Sequence, residues 1–399
     1  MRTVPLAVAG SAALVTAASA LGGGGITVTV VGNYPPAVNQ RINAAGQVSG
    51  DFQFQSITRA MRYDPGVGRV PLDVPVGTTQ SIGIGINAAG AVAGRISHPT
   101  LGTVAATWSP TNAITTLPAP PGTFSYSTAV GINDAGTVAG FATLIQSGTD
   151  PERVWRYTAK GGYQMLPSLG GISSIARDID ASGRIVGHSE YAAGLYRAVI
   201  WQVAGTVTDL GPAPGSTQTF GLAMNDSGVV VGTVAANANA IVHRPGQGWQ
   251  VLPDFGFKAV AYDVNAAGWI VGWADVAPFK TVPVVWDPTG ALHNIAELVD
   301  PGRFYFPGDF SIPIAISDAN VIVVYGMDFT VSGDPRSLLF RVGFPCPADL
   351  DGNGSVGPGD LATLLGAWGG GGAADLDGDG TVGPADLTAM LGAWGSCGA

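Results

Sequence analysis

Charge is scarce in this chain of 399 residues: Asp, Glu, Lys and Arg together make up only 12%. The 18 basic residues are outnumbered by 28 acidic ones, a net charge of -10. That balance argues against nucleic acid or an anionic membrane surface as a partner. Cysteine is scarcer still, with only two in the chain. No apolar run beyond residue 20 is long enough to span a bilayer. Catalytic signatures are missing as well: no nucleophile elbow, P-loop, zincin or dinucleotide fingerprint stands in a suitable context. The four histidines, His98, His188, His243 and His293, fall in no metal or nucleophile motif, so a non-enzymatic protein is expected. What is abundant is glycine (60 residues), with 28 prolines and 46% hydrophobic residues. Without a triplet period, that mixture specifies short strands joined by tight turns, and the length suits one large domain plus a small one.

Residues 1–20 have the layout of a signal peptide. Arg2 supplies the positive charge, Val4 to Ala17 a short apolar core, and Ala18-Ser19-Ala20 a cleavage signal. Cleavage after Ala20 and export to an oxidising, extracellular location are therefore expected, with the protein attached at a cell surface. Cys346 and Cys397 bracket the C-terminal tail. A disulfide closing that loop is expected to contribute about 4 kcal/mol.

Residues 26–342 are organised by a repeat. Ile42-Asn43-Ala44-Ala45-Gly46 returns at Ile86–Gly90, Ile132–Gly136, Ile179–Gly183, Met224–Gly228 and Val264–Gly268, and in decayed form at Ile316–Asn320. The spacing is 40 to 52 residues. In each copy Asn, Asp or Ser can accept a local backbone hydrogen bond, and Gly (or Asn320) can take the left-handed conformation that closes a hairpin. A second strand follows, ending at Gly50, Gly94, Gly140, Gly187, Gly232 or Gly272. A third ends near Tyr63, Trp108, Tyr157 (or Trp155), Trp201, His243, Trp286 or Phe340, and a fourth at Leu72, Leu117, Leu166, Leu210, Leu252 or Ile295. Four short strands per unit is the size of a propeller blade. The seventh unit lacks a fourth strand, and Ile26–Val31 is available to supply it. The expected architecture is all-β: a seven-bladed β-propeller over residues 21–345, closed by the N-terminal strand.

The repeat resembles the HAF family of extracellular repeats, most closely at Leu166–Gly171 and Ile179–Gly187, with Trp201 and Thr208–Gly211 downstream. The resemblance implies a secreted repeat protein and no established activity. Several loops between units carry aromatics, namely Phe124, Tyr126, Phe220, Phe255, Phe257, Phe304, Tyr305 and Phe306. Such aromatic faces suit sugar rings or peptide grooves, so a polysaccharide is one candidate ligand, on a binding module or a carbohydrate-active enzyme, although packing of loop on loop is the commoner use of any single such residue.

The tail, residues 346–399, has seven Asp and no basic residue. Residues 349–360 and 375–386 place oxygen-bearing side chains at loop positions 1, 3, 5 and 12, with glycine at position 6. That is the ligand spacing of a calcium loop, since calcium takes six to eight hard oxygens. Ser355 and Thr381 at position 7 offer backbone carbonyls, and Val356 and Val382 are expected to pair the two loops. Each loop runs into a short helix, and none precedes it. This duplicated half-EF-hand is similar to a type I dockerin flanked by cysteines. Carried over by position, the resemblance implies Asp349, Asp351, Asn353, Ser355 and Asp360 at one calcium ion, and Asp375, Asp377, Asp379, Thr381 and Asp386 at a second. Loop positions 10 and 11, small hydroxyl or polar residues in dockerins, are Pro358-Gly359 and Pro384-Ala385 here. The expected partner is a cohesin-like or other cell-surface protein, met by a monomer. Because Asp379 replaces Asn353, the second loop should bind calcium more tightly. Titration of loop-specific variants checks this, and equal or reversed affinities refute it.

Overall fold

The computed structural model describes residues 27–34, 38–54, 56–122, 124–144, 151–235, 239–306, 313–330, 335–343, 346–351 and 355–396. Residues 1–20, where a signal peptide is expected, lie outside them. The described residues are mostly strand, with three short helices among them, in a β-propeller-like arrangement. Five sheets of four or five strands stand as separate blades. The first runs Val38–Ile42, Val48–Phe54, Ile57–Asp64 and Gly68–Pro71 in sequence order. Blades beginning at Ser174–Ile179, Thr219–Met224 and Ala259–Val264 repeat that up-and-down order. The fifth pairs the N-terminal strand Thr27–Tyr34 with Pro335–Gly343, next to Val321–Asp328. Between Gln80 and Met165, eight strands form one sheet, whose halves meet through a single parallel pair, Tyr126 with Thr103.

Each unit is shaped by its turn. Asn43, Asn87, Asn133, Asp180, Asn225, Asn265 and Ser317 each accept the backbone N–H four residues on, at 2.7–3.1 Å. Asn320 takes a positive φ of 56° where the other turns have glycine. The third-strand residue then sits opposite the first apolar residue of the second strand in six units, from Val48 with Tyr63 to Ile270 with Trp286, and in the seventh Phe340 faces Ile322, one place further on. In the third unit, Tyr157 keeps that register opposite Val138, while Trp155 is the fully buried ring and lies over Gly140.

Apolar packing lies mainly between neighbouring sheets, whose second strands are buried on both faces for most of their length. One cluster joins Ala139 and Val154 to Ile185 and Trp201 of the next unit. Another joins Ile42, Val48 and Met61 of the first blade to Ala315, Val323 and Leu339 of the last. Trp108, Trp201 and Trp286 bury their rings and donate Nε1–H to the carbonyls of Asp73, Pro167 and Pro253. The glycine near the end of the second strand is a contact point: a Cβ at Gly94, Gly187, Gly232 or Gly272 would overlap a carbonyl oxygen of the first strand. Gly232→Ala should therefore destabilise the protein by roughly 1–3 kcal/mol. Gly343→Ala, which meets nothing within 4 Å, should stay within about 0.5 kcal/mol. Denaturant unfolding of the two variants measures the contrast.

Candidate functional site

The tail brings its aspartates together in two matching cradles. Ligand oxygens of Asp349, Asp351 and Asp360 lie within 4.8 Å of one another, as do those of Asp375, Asp377 and Asp386. The last member of each triad sits in the first turn of a helix, Pro358–Gly366 or Pro384–Gly392, and is nearly unexposed. Asp360 accepts from the backbone N–H groups of Asp351 and Gly357 at 2.9 and 2.8 Å. Asp386 accepts from those of Asp377 and Gly383 at 3.0 and 2.7 Å. Burial pulls the Asp360 carboxyl up, but these donors outweigh it and hold the acid below its usual range. At Asp386 the donor Gly383 leads the same downward shift.

The outer members are ordered by their own loop. Asp375 accepts from Gly378 and Gly380, Asp377 from Asp379, and Asp379 from Thr381. Ser355 lies in a short strand, and Asn353 lies outside the described residues. An all-oxygen donor set, converging on ionised carboxylates, fits a hard cation such as calcium.

The expected pairing of Val356 with Val382 is corrected. The strand Ser355–Val356 pairs with Gly395–Ser396, and Val382 exchanges backbone hydrogen bonds with Gly369 and Gly370. Each loop is thus tied to the segment after the other loop's helix. Both valines then point into one core with Ala348, Leu364, Ala374 and Met390.

A second constellation, which motif reading missed, lies on the propeller axis. A cavity of about 250 Å³ is lined by the first strands and turns of all the repeat units. Two residues before each turn side chain stand Arg41, Gly85, Gly131, Asp178, Ala223, Asp263 and Ala315, all seven beside a register shift in the first strand and lining or flanking the axis. Asp178 accepts from the N–H of Ile179 and from Met224 of the next blade, at 2.8 and 3.1 Å. Asp263 likewise accepts from Val264 and from Ile316 of its neighbour, each at 2.9 Å. Both carboxylates keep partial contact with water but are enclosed by the ring. Burial, then the charge of Asp263, push the Asp178 carboxyl up to about 7, against the pull of Arg41. Asp263 is raised by burial. A carboxyl that exchanges its proton near neutrality has the property expected of a general acid or base.

Of the loop aromatics, most are used in packing. Phe304 and Phe306 lie against Phe340, Phe220 against His188 and Tyr196, and Tyr126 against Phe141. Phe255, Phe257 and Tyr305 are exposed. Burial pushes His188 down to about 3, so it stays neutral.

No protein-family model matches the chain, and no curated protein matches it. Solved structures of the same fold do. A structure from work on two prolyl endopeptidases is 10% identical at a TM-score of 0.50, covering 80% of this chain and 50% of that one. Virginiamycin B lyase from Staphylococcus aureus is 10% identical, TM-score 0.48, over 79% and 98%. TolB from Acinetobacter baumannii is 16% identical, TM-score 0.42, over 57% and 56%. The chain thus spans about half the length of the TolB and endopeptidase chains. At such identities the likeness describes a fold. It nevertheless corrects one sequence expectation: the non-enzymatic reading does not stand, because this fold is shared with a structure from work on prolyl endopeptidases.

The two sites respond to pH in opposite senses. A carboxyl raised in the folded state, as Asp178 is, costs stability that is relieved as pH falls through about 7 toward 3.8. Asp360 and Asp386, being lowered, stabilise the tail above 3.8 and lose that contribution below it. Acidification across the upper window should raise the melting temperature of the propeller, and Asp178→Asn should flatten that rise. Tail unfolding should need the lower window. Calorimetric scans against pH check both.

Proposed function

We propose that this is a secreted protein whose calcium-loaded tail attaches a seven-bladed propeller to a cell-surface or scaffold partner, with the propeller presenting the ligand-binding surface. The observation that carries this reading is the pair of aspartate triads, each gathered within 4.8 Å and each anchored by a nearly unexposed carboxylate. Counting the eight-stranded sheet as two blades supports seven in all, since one parallel pair joins its halves. The HAF-like repeat, the signal-like residues 1–20 and the dockerin-like loops agree on an extracellular setting.

Calcium is the natural occupant of both cradles. Asp349, Asp351, Asn353 and Asp360 would hold one ion with the Ser355 carbonyl. Asp375, Asp377, Asp379 and Asp386 would hold the other with that of Thr381. The ions neutralise clustered carboxylates and so couple metal binding to folding of the module. Cys346 packs against the module core. Its expected disulfide partner, Cys397, lies outside the described residues, and the bond would close the module's two ends.

The docking face follows from the duplication. Leu365 in the first helix with Trp368 just after it, and Leu391 in the second with Trp394 just after it, are each 45–54% exposed, although they are large apolar groups. Matching apolar pairs on a calcium-ordered module suit a protein partner, cohesin-like or otherwise. A second reading, a carbohydrate-active or carbohydrate-binding propeller, is favoured by the carboxylates at the axial cavity and by exposed Phe255, Phe257 and Tyr305.

Replacing Leu365, Trp368, Leu391 and Trp394 by alanine should abolish retention on cell-envelope fractions without weakening calcium binding. Asp360→Ala with Asp386→Ala should abolish both. Retention that persists in chelator would overturn the attachment.

A further inference from the structure

The axial cavity contains charge that ring construction does not require. Of the seven equivalent positions beside it, Gly85, Gly131, Ala223 and Ala315 leave the axis open. At Gly85 and Gly131 a Cβ would run into Gly131 or Ile179 of the neighbouring unit, so small residues there are a packing necessity. Ala223 and Ala315 meet the same bulge without a side-chain acceptor. Asp178 and Asp263 therefore add something beyond closure of the ring. Each oxygen takes one backbone N–H, and a carboxylate has room for about four donors in all. Six aspartates and one guanidinium, Arg41, line the cavity. Asp180 among them is paired with Arg184 at 2.5 Å. Asp134, Asp226 and Asp318 are exposed at the rim, alternating around the turns.

We propose that the axial cavity binds a small organic cation, its primary ammonium group held between Asp178 and Asp263 and guided inward by the rim aspartates. An ammonium brings three donors and no acceptor, which matches enclosed carboxylates with unused lone pairs. A divalent metal ion fits less well. Among the described residues, only the tail triads bring three acidic ligand atoms within 4.8 Å. The volume, about 250 Å³, falls below the range of drug-sized pockets, roughly 300–1,000 Å³, so the ligand is small. The site stands on the propeller alone and is independent of calcium in the tail.

Calorimetric titration of the full, calcium-loaded chain with ethanolamine, and with ethylene glycol as its uncharged counterpart, tests this. Ethanolamine should bind saturably and ethylene glycol should not. Asp178→Asn with Asp263→Asn should weaken ethanolamine binding by about tenfold or more, since that is the loss expected for a charge-assisted pair. Should that variant fail to fold, Asp134→Asn with Asp226→Asn and Asp318→Asn is the second probe, since asparagine Oδ1 keeps the backbone bonds that these residues accept from the turn of the preceding unit. It should weaken binding, and more so at low salt. No heat with the wild-type chain, or unchanged affinity in the variants, would overturn the site. Chelating calcium should leave ethanolamine binding unchanged, so failure of the tail and failure of the cavity are told apart.

Discussion

In five of the seven repeats a side-chain amide ties one turn to the next. The asparagine oxygen accepts a bond within its own turn, and its Nδ2 donates to the carbonyl of the next turn. Asn43 reaches Asn87, Asn87 reaches Asn133, and Asn133 reaches Asp180. Asn225 reaches Asn265, and Asn265 reaches Ser317. A group with a donor and an acceptor on one carbon is needed to do both. Where the fourth turn has Asp180, which lacks the donor, Arg184 binds that carboxylate and donates to the carbonyl of Asp226 in the following turn. Aspartates on alternate turns add a second set of links, Asp134 to Ala88, Asp226 to Ala181 and Asp318 to Ala266.

These links explain why so weakly charged a chain can place charge on its axis. They fix neighbouring turns, hence the first strands, hence the bulges that hold Arg41, Asp178 and Asp263 around one space. A buried charge is tolerated only when it is hydrogen-bonded or paired. Both axial carboxylates meet that condition by bonding the backbone of the next blade, so the same contacts that close the ring also keep acidic chemistry inside it. The tail uses a parallel device, with backbone N–H groups gathered on Asp360 and Asp386 to keep them ionised. The two axial carboxyls are raised, whereas the two helix-start carboxyls of the tail are lowered.

Much of this was legible in the residues. Turns, strand order, the contact glycines and the N-terminal strand all follow from a short period-bound signature, because local backbone chemistry dictates it. The clustering of the tail aspartates was legible from their spacing, and oxygens of Asp349, Asp351 and Asp360 do lie within 4.8 Å of one another. Three features were hidden. The inter-turn reach of Asn Nδ2 depends on the distance between units, which no local pattern encodes. The tail's crossed pairing, Val356 with the segment beyond Trp394, depends on how two duplicated halves face each other. The axial pair comes from residues 85 positions apart, joined only by ring closure. A signal did exist: aligned two places before each turn, the column reads Arg, Gly, Gly, Asp, Ala, Asp, Ala. Only a charge that departs from a small-residue column marks it.

The proposed function rests on metal binding at the two aspartate cradles of the tail. A crystal structure of the oxidised chain grown with calcium is the most direct measurement. It should show two ions, one in the triad of Asp349, Asp351 and Asp360 and one in that of Asp375, Asp377 and Asp386, with oxygen ligands at about 2.3–2.6 Å. Ordered triads without density between them, or ions bound elsewhere, would contradict it.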